Sequence, residues 1–203
     1  PGGMGAYSPL PWVSDDFVQE ITDSVAVPTV RQLEAEGTPF VGLLYCGLIV
    51  TAAGTRVIEF NARFGDPETQ VVLPRMISPL SEYLLAAAEG RLDQLPDPEF
   101  SDEVAVVVVL ASEGYPGEVT TGREVEGVDP SGELAQAITK THLVHAATKL
   151  DSSGRWIATG GRVLGVVARG ETFAQARGRA YTGIEQLALE GGQHRSDIAE
   201  RVA

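Results

Sequence analysis

The chain has 203 residues, 43% of them hydrophobic, enough to bury one large or two small cores and too many for a disordered polymer. Twenty-eight acidic residues against fifteen Lys and Arg leave a formal charge of -13, which repels polyanions and removes the electrostatic basis for binding nucleic acid or an anionic membrane. The single cysteine, Cys46, rules out an intrachain disulfide and fits a reduced, cytoplasmic setting, and the longest apolar stretch, residues 104–111, falls far short of the roughly 20 residues that span a bilayer.

The chain opens at Pro1-Gly2-Gly3-Met4-Gly5, inside a glycine-rich loop with no leader pattern before it, as expected for the middle of a longer protein. Apolar residues punctuating a polar stretch predict a helix over residues 14–36, interrupted near Pro28. Residues 40–50 and 56–60 are apolar and β-rich around Ala52-Ala53-Gly54-Thr55, which predicts an antiparallel hairpin. Ser78-Pro79 supplies an N-cap and first turn for a helix over residues 79–89, stopped by Gly90, and residues 92–101, with Pro96 and Pro98, read as a linker.

Residues 104–111 are too uniformly apolar for a half-exposed strand and call for cover on both faces. A loop-rich tract over residues 112–132 follows, then strands over residues 141–150 and 162–168, with Asp151-Ser152-Ser153-Gly154 as a turn before Trp156. Thr172 with Gln175 three residues on forms a capping box for a helix to residue 190, ended by Gly191-Gly192. The expectation is an α/β (α+β) chain in two parts, residues 1–97 and 98–203, without internal repeats.

Candidate chemistry centres on the run from Glu59 to Gln70. Strand alternation places Glu59, Asn61 and Arg63 on one face and Phe60 and Phe64 on the other. A carboxylate and an amide oxygen suit Mg2+, which takes hard oxygen ligands and keeps water and phosphate oxygens in its other positions; the guanidinium would stabilise charge on a transferring phosphoryl or acyl phosphate. A bare E-x-N-x-R also fits a solvated strand face with a surface ion pair.

Gly65-Asp66-Pro67 makes a tight turn, where Asp66 and Glu68 either cap the turn or touch substrate. Gly2, Gly3 and Gly5 around Met4 permit positive φ and an anion nest. Arg162, after Gly160-Gly161 at a strand start, is a candidate for substrate or interdomain contact, against a solvent-facing role. His142, His145 and His194 show no zinc spacing and read as structural or exposed, and Cys46 reads as a buried small hydrophobe. The strand before the Glu59 run holds no acid, so no second metal site is assigned.

The run Arg63 to Gln70, RFGDPETQ, resembles the corresponding stretch of the phosphoribosylamine–glycine ligases almost letter for letter, and Gly2 to Pro9, GGMGAYSP, is similar to a loop of the same family. Leu44-Tyr45-Cys46-Gly47-Leu48, Gly114-Tyr115-Pro116-Gly117 and Gly160-Gly161-Arg162-Val163-Leu164 extend the resemblance over nearly the whole chain. It implies the C-terminal part of an ATP-grasp domain followed by a small α/β C-terminal domain. It further implies ATP with Mg2+ or Mn2+ as cofactors, and ligation of glycine to phosphoribosylamine through glycyl phosphate in purine biosynthesis.

The resemblance assigns Glu59 and Asn61 to the metal and Arg63 to catalysis and substrate. Gly2, Gly3, Met4, Gly5, Gly65, Asp66, Pro67, Glu68 and Arg162, with Arg63, are the candidate substrate residues. The N-terminal half of the enzyme, with the lid that clamps ATP, is the implied missing partner, so the fragment alone is expected to be inactive. One departure is Ala147 in His145-Ala146-Ala147-Thr148, where the family shows glycine, which disfavours a positive φ there. The rival readings are another ATP-grasp carboxylate–amine ligase or a biotin carboxylase, which share E-x-N-x-R but not its continuation, and a non-catalytic scaffold fragment.

Overall fold

Eight successive apolar residues cannot alternate between core and water, and Val104–Ala111 is buried along its whole length. The computed structural model describes residues 3–203. Its strands are β1 (Gly5–Ser8), β2 (Tyr45–Thr51), β3 (Gly54–Asn61), β4 (Val104–Ala111), β5 (Val125–Glu126), β6 (Thr141–His145), β7 (Thr148–Leu150), β8 (Trp156–Ala158), β9 (Arg162–Gly170) and β10 (Ala188–Leu189). The α-helices are α1 (Asp15–Ile21), α2 (Val27–Ala35), α3 (Thr69–Val72), α4 (Leu80–Ala88) and α5 (Phe173–Ile184). They fall into two compact units, one of residues 3–9, 66–75 and 101–203, the other of residues 10–65 and 76–100.

The first unit is built on an antiparallel sheet in the order β1-β4-β9-β6. Alternation along β4 sends Val106, Val108 and Leu110 to one face, where they share a core with Leu164 and Val166 and with Ala176, Ala180 and Ile184 of α5. Those helical positions recur every fourth residue, so they form one stripe. The other face carries Ala105, Val107 and Val167, covered by Val71 of α3. The strand is therefore double-sided because α5 packs on one side and the segment after Asp66 on the other.

Helix α5 starts as expected, with Thr172 Oγ1 accepting the Gln175 N–H at 3.3 Å, while Gln175 Oε1 reaches the Glu171 N–H at 3.2 Å. It ends at Ile184 rather than residue 190, because the chain turns through a Leu187 N–H to Ile184 O bond and lays β10 against β5. The expected strand over residues 141–150 is two strands. β6 pairs with β9, and β7 pairs with β8 in a separate ribbon, the break falling where Ala146 and Ala147 donate to the Val163 and Arg162 carbonyls.

In the second unit the predicted first helix runs on through Pro28 without a break. Proline lacks an N–H and its ring crowds the carbonyl four residues back. The turn just before it, Thr22–Ala26, widens to a π-helix in which Val27 N–H bonds Thr22 O five residues back. Ser14 caps the start, its hydroxyl accepting the Phe17 N–H at 3.2 Å.

Strand β2 begins at Tyr45, later than expected, and the hairpin turn is Ala52-Ala53, held by the Thr51 hydroxyl, which accepts from Ala53 N–H at 3.2 Å and donates to Gly54 O at 2.8 Å. Cys46 is half-buried rather than buried, and that burial raises its thiol pKa. Helix α4 takes Pro79, not Ser78, as its N-cap. The Ser78 hydroxyl instead accepts the Glu99 N–H at 2.8 Å, so residues 92–101 return alongside Met76 and Ile77 rather than acting as a free linker.

Candidate functional site

The candidate residues lie in two constellations. The first is the end of β3, where Asn61 Nδ2 donates to Glu59 Oε1 at 3.0 Å, so both side chains occupy one side of the strand. Gly47 lies opposite Glu59, and a Cβ on it would stand 3.0 Å from Glu59 Cγ; glycine leaves the carboxylate its room. Phe60 turns to the other side and, with Val57, Pro28 and Leu33, lines a groove of about 500 Å3.

Arg63 does not continue the alternation. The strand ends at Asn61, and the exposed Arg63 donates to the Phe64 carbonyl at 2.8 Å. The cause is the bend that leads into the Gly65-Asp66-Pro67 turn, which takes the backbone out of the pleat. Among the described residues no three His, Cys, Asp or Glu side chains converge as a metal cage. A carboxylate and an amide oxygen on one strand face, with the carboxylate exposed, fit instead an ion that draws its remaining ligands from phosphate and water.

The second constellation is in the other unit. Arg162, first residue of β9, presents its fork to Asp66, with NH1 3.2 Å from Oδ1 and NH2 3.1 Å from Oδ2. NH1 also reaches the Asp66 carbonyl at 2.9 Å and the Gly3 carbonyl at 3.3 Å. Gly3 has φ +79 and its Cα faces that guanidinium so closely that a Cβ would lie 3.0 Å from NH1. Asp66 is also tied to Gln70, whose Nε2 donates to Oδ1 at 3.0 Å, the i, i+4 spacing at the start of α3. Gln70 was not singled out from the sequence, although that spacing was visible there.

Other predicted substrate residues have structural duties. Met4 is 4% exposed and packs with Val109, Ala111 and Tyr115. A Cβ on Gly5 would stand 2.7 Å from both Ile198 and the Val107 carbonyl, so this glycine lets β1 join the sheet. Gly65 and Pro67 are buried, and the half-buried Glu68 precedes α3, its carbonyl accepting from Val71 and Val72. Gly2 lies outside the described residues.

Ala147 does not adopt a positive φ, and its methyl occupies the space that Gly160 leaves, where a Cβ would approach it to 2.9 Å. His145 is structural, its Nε2 2.8 Å from the Gly132 carbonyl and Nδ1 2.7 Å from Thr148 Oγ1, with Trp156 against its ring. Burial lowers the pKa of His142. No helix among the described residues is long and apolar enough to cross a membrane.

Comparison with known proteins first gives the class. Residues 1–69 match the model of the phosphoribosylglycinamide synthetase ATP-grasp (A) domain, and residues 105–201 match that of its C domain. The fold is shared with the biotin carboxylase domain of Hydrogenobacter thermophilus 2-oxoglutarate carboxylase, at TM-score 0.62 and 14% identity over 94% of this chain and 40% of that one.

The phosphoribosylamine–glycine ligase of Leifsonia xyli is 60% identical over 98% of this chain and 47% of its own length, and that of Streptomyces coelicolor 50% identical over 100% and 48%. The crystal structure of the same ligase from Thermotoga maritima superposes at TM-score 0.79 with 30% identity, over 97% of this chain and 46% of that chain. The chain belongs to the phosphoribosylamine–glycine ligase family, and it spans about half the length of the curated relatives it matches.

Proposed function

We propose that this chain is the part of an ATP-dependent carbon–nitrogen ligase that carries its metal-binding strand and part of its substrate-facing surface. The reaction joins glycine to 5-phosphoribosylamine, giving glycinamide ribonucleotide, ADP and phosphate. The glycine carboxylate attacks the γ-phosphorus of ATP to form glycyl phosphate, and the phosphoribosylamine nitrogen then displaces phosphate from the acyl carbon. The observation that carries this reading is the Glu59–Asn61 pair, which presents a carboxylate and an amide oxygen from one side of β3.

Glu59 and Asn61 would hold Mg2+, which when bound neutralises charge on the ATP phosphates and leaves the γ-phosphorus open to attack. In this structure Asn61 Nδ2 donates to Glu59, and turning the amide over would bring its oxygen beside the carboxylate, where both can meet one ion. Arg63, exposed at the end of the strand, is free to turn its guanidinium toward charge developing on the transferring group. Gly3, Gly65, Asp66, Pro67 and Glu68 are proposed to border the small substrates through backbone rather than through a charged side chain. The protein does little covalent work in such a reaction, so positioning and electrostatics carry the rate.

The test uses a full-length chimera in which this chain replaces its matched counterpart in the Leifsonia xyli relative. Glu59→Gln should lower Mg2+-dependent formation of glycinamide ribonucleotide by at least about tenfold, with a raised Mg2+ requirement. Unchanged metal dependence would remove the assignment, and bicarbonate-dependent ATP hydrolysis without glycine would favour the carboxylase reading.

A further inference from the structure

We infer that Arg162 is a positioning residue that fixes the Asp66 turn and the Gly3 loop to each other, rather than a residue that binds substrate itself. The inference rests on the proposed ligase function for its kinetic consequence but not for its geometry. One guanidinium meets both carboxylate oxygens and the carbonyl of Asp66 and the carbonyl of Gly3. A bidentate fork against a carboxylate is directional in a way that a single ammonium contact is not. It therefore sets the angle of the Asp66 side chain as well as its place.

Three sequence motifs that the catalytic reading leaves without a task converge beneath this arginine. In the Gly160-Gly161 pair, a Cβ on Gly161 would stand 2.6 Å from the Tyr115 ring, so Tyr115 of the Gly114–Gly117 turn packs directly on the backbone leading into Arg162. Buried Ser112 holds that backbone from the same side, its hydroxyl donating to Gly160 O at 2.7 Å and its N–H to Gly161 O at 2.8 Å. Ala147 closes the other side, donating to Arg162 O at 3.1 Å with its methyl against Gly160. The base of Arg162 is thus held by residues far apart in sequence.

The far end of the network is equally committed. Gln70 gives its Nε2 to Asp66 Oδ1 while its own Oε1 is buried without a hydrogen-bond partner among the described residues. A carboxylate only accepts, so the Asp66 contact dictates which way this amide faces. Arg162, Asp66 and Gln70 form a chain of oriented groups leading from the base of β9 to the first turn of α3. Gly3 must be glycine here for two reasons, its φ of +79 and the 3.0 Å approach of the guanidinium to where a Cβ would sit.

The test has two arms. In this chain, Arg162→Lys keeps the charge and loses the fork, and amide hydrogen exchange of residues 3–5 and 65–70 should quicken by about tenfold while the β4 and β9 amides stay slow. In the full-length chimera, Arg162→Lys and Asp66→Asn should each lower kcat/KM for glycine and for phosphoribosylamine alike, by roughly 10- to 100-fold. The double variant should be no more than about threefold worse than the weaker single, because both break one contact.

Unchanged exchange in the two segments, together with additive losses confined to the KM of one substrate, would overturn the inference and make Arg162 a direct substrate ligand. If the unsubstituted chimera forms no glycinamide ribonucleotide, the proposed function fails. The exchange arm alone then decides the positioning role, quickened amides supporting it and unchanged ones refuting it.

Discussion

Leu164→Ala is the substitution that most directly tests how the first unit is held together. Leu164 is 1% exposed, lies in β9 between its partners Leu110 of β4 and His145 of β6, and belongs to the core shared with α5. Removing three carbons forfeits about 2 kcal/mol of transfer free energy at roughly 0.8 kcal/mol per methylene. A strand hydrogen-bonded on both edges has little freedom to close the gap, so a cavity contribution brings the loss to about 3–4 kcal/mol, inside the range of buried Leu→Ala changes.

With a urea dependence of roughly 1–3 kcal/mol per molar, the midpoint should fall by about 1–4 M. Trp156, in β8 of the same unit and half-buried, is the reporter, whereas Trp12 belongs to the other unit. Ile58→Ala, at a side chain 66% exposed on the hairpin, should shift its own unit by under about 0.5 kcal/mol. A Leu164→Ala midpoint within about 0.3 M of the parent, at unchanged slope, would refute the reasoning that β9 is locked from both sides.

Arg63→Lys in the chimera should lower kcat more than it raises KM for glycine, as steady-state kinetics will read, because the planar fork is lost while the charge is kept. Gly5→Ala puts a methyl 2.7 Å from the Val107 carbonyl, so thermal denaturation should show a loss of about 1–3 kcal/mol as β1 is pushed off β4. The Lys140 hydrogen bond is the first cause that holds the Glu103 carboxyl below its ordinary value. A depressed carboxylate contributes stability above its unfolded pKa and loses it as pH falls through the folded one, so Lys140→Met should flatten the fall in stability between about pH 5 and pH 3, measured by urea titration. The chain by itself should release no ADP in response to glycine, in a coupled assay, since one wall of an ATP site cannot clamp the nucleotide or exclude water.

The core of the first unit was legible because eight apolar residues in a row allow few structures, and the covered strand β4 is what they form. Its cover was not legible. Nothing local in Thr69–Val72 marks Val71 as the residue that seals the second face, because that packing is a tertiary event between segments more than thirty residues apart in the chain. Pro28 misled in the same way, since the rule against proline inside a helix assumes an α turn before it, and here that turn is π-helical. Alternation placed Glu59, Asn61 and Phe60 on their observed sides but failed at Arg63, where pleating stops with the strand. Period-based reasoning holds only as far as the element it presumes.

A residue in a family-like motif can serve folding or chemistry, and the structure separates the two within the stretches that resemble the ligase family. Met4 and Gly5 are accounted for by the core and by the join of β1 to β4, and Gly161 by the Tyr115 ring. Remove any of these and the loss is one of packing, which a stability measurement would register before any activity assay. Glu59 and Arg63 are different: both are exposed, Glu59 bonds to Asn61, Arg63 bonds to the carbonyl of the next residue, and neither seals a core. Folding gives no reason for a carboxylate and an amide to be paired on an exposed strand face, and a surface ion pair would contribute under about 1 kcal/mol. Side chains the fold does not use are the ones left to meet a ligand. That is why Glu59→Gln should leave thermal stability within about 0.5 kcal/mol of the parent while abolishing most metal-dependent turnover, a separation that a merely structural carboxylate would not produce.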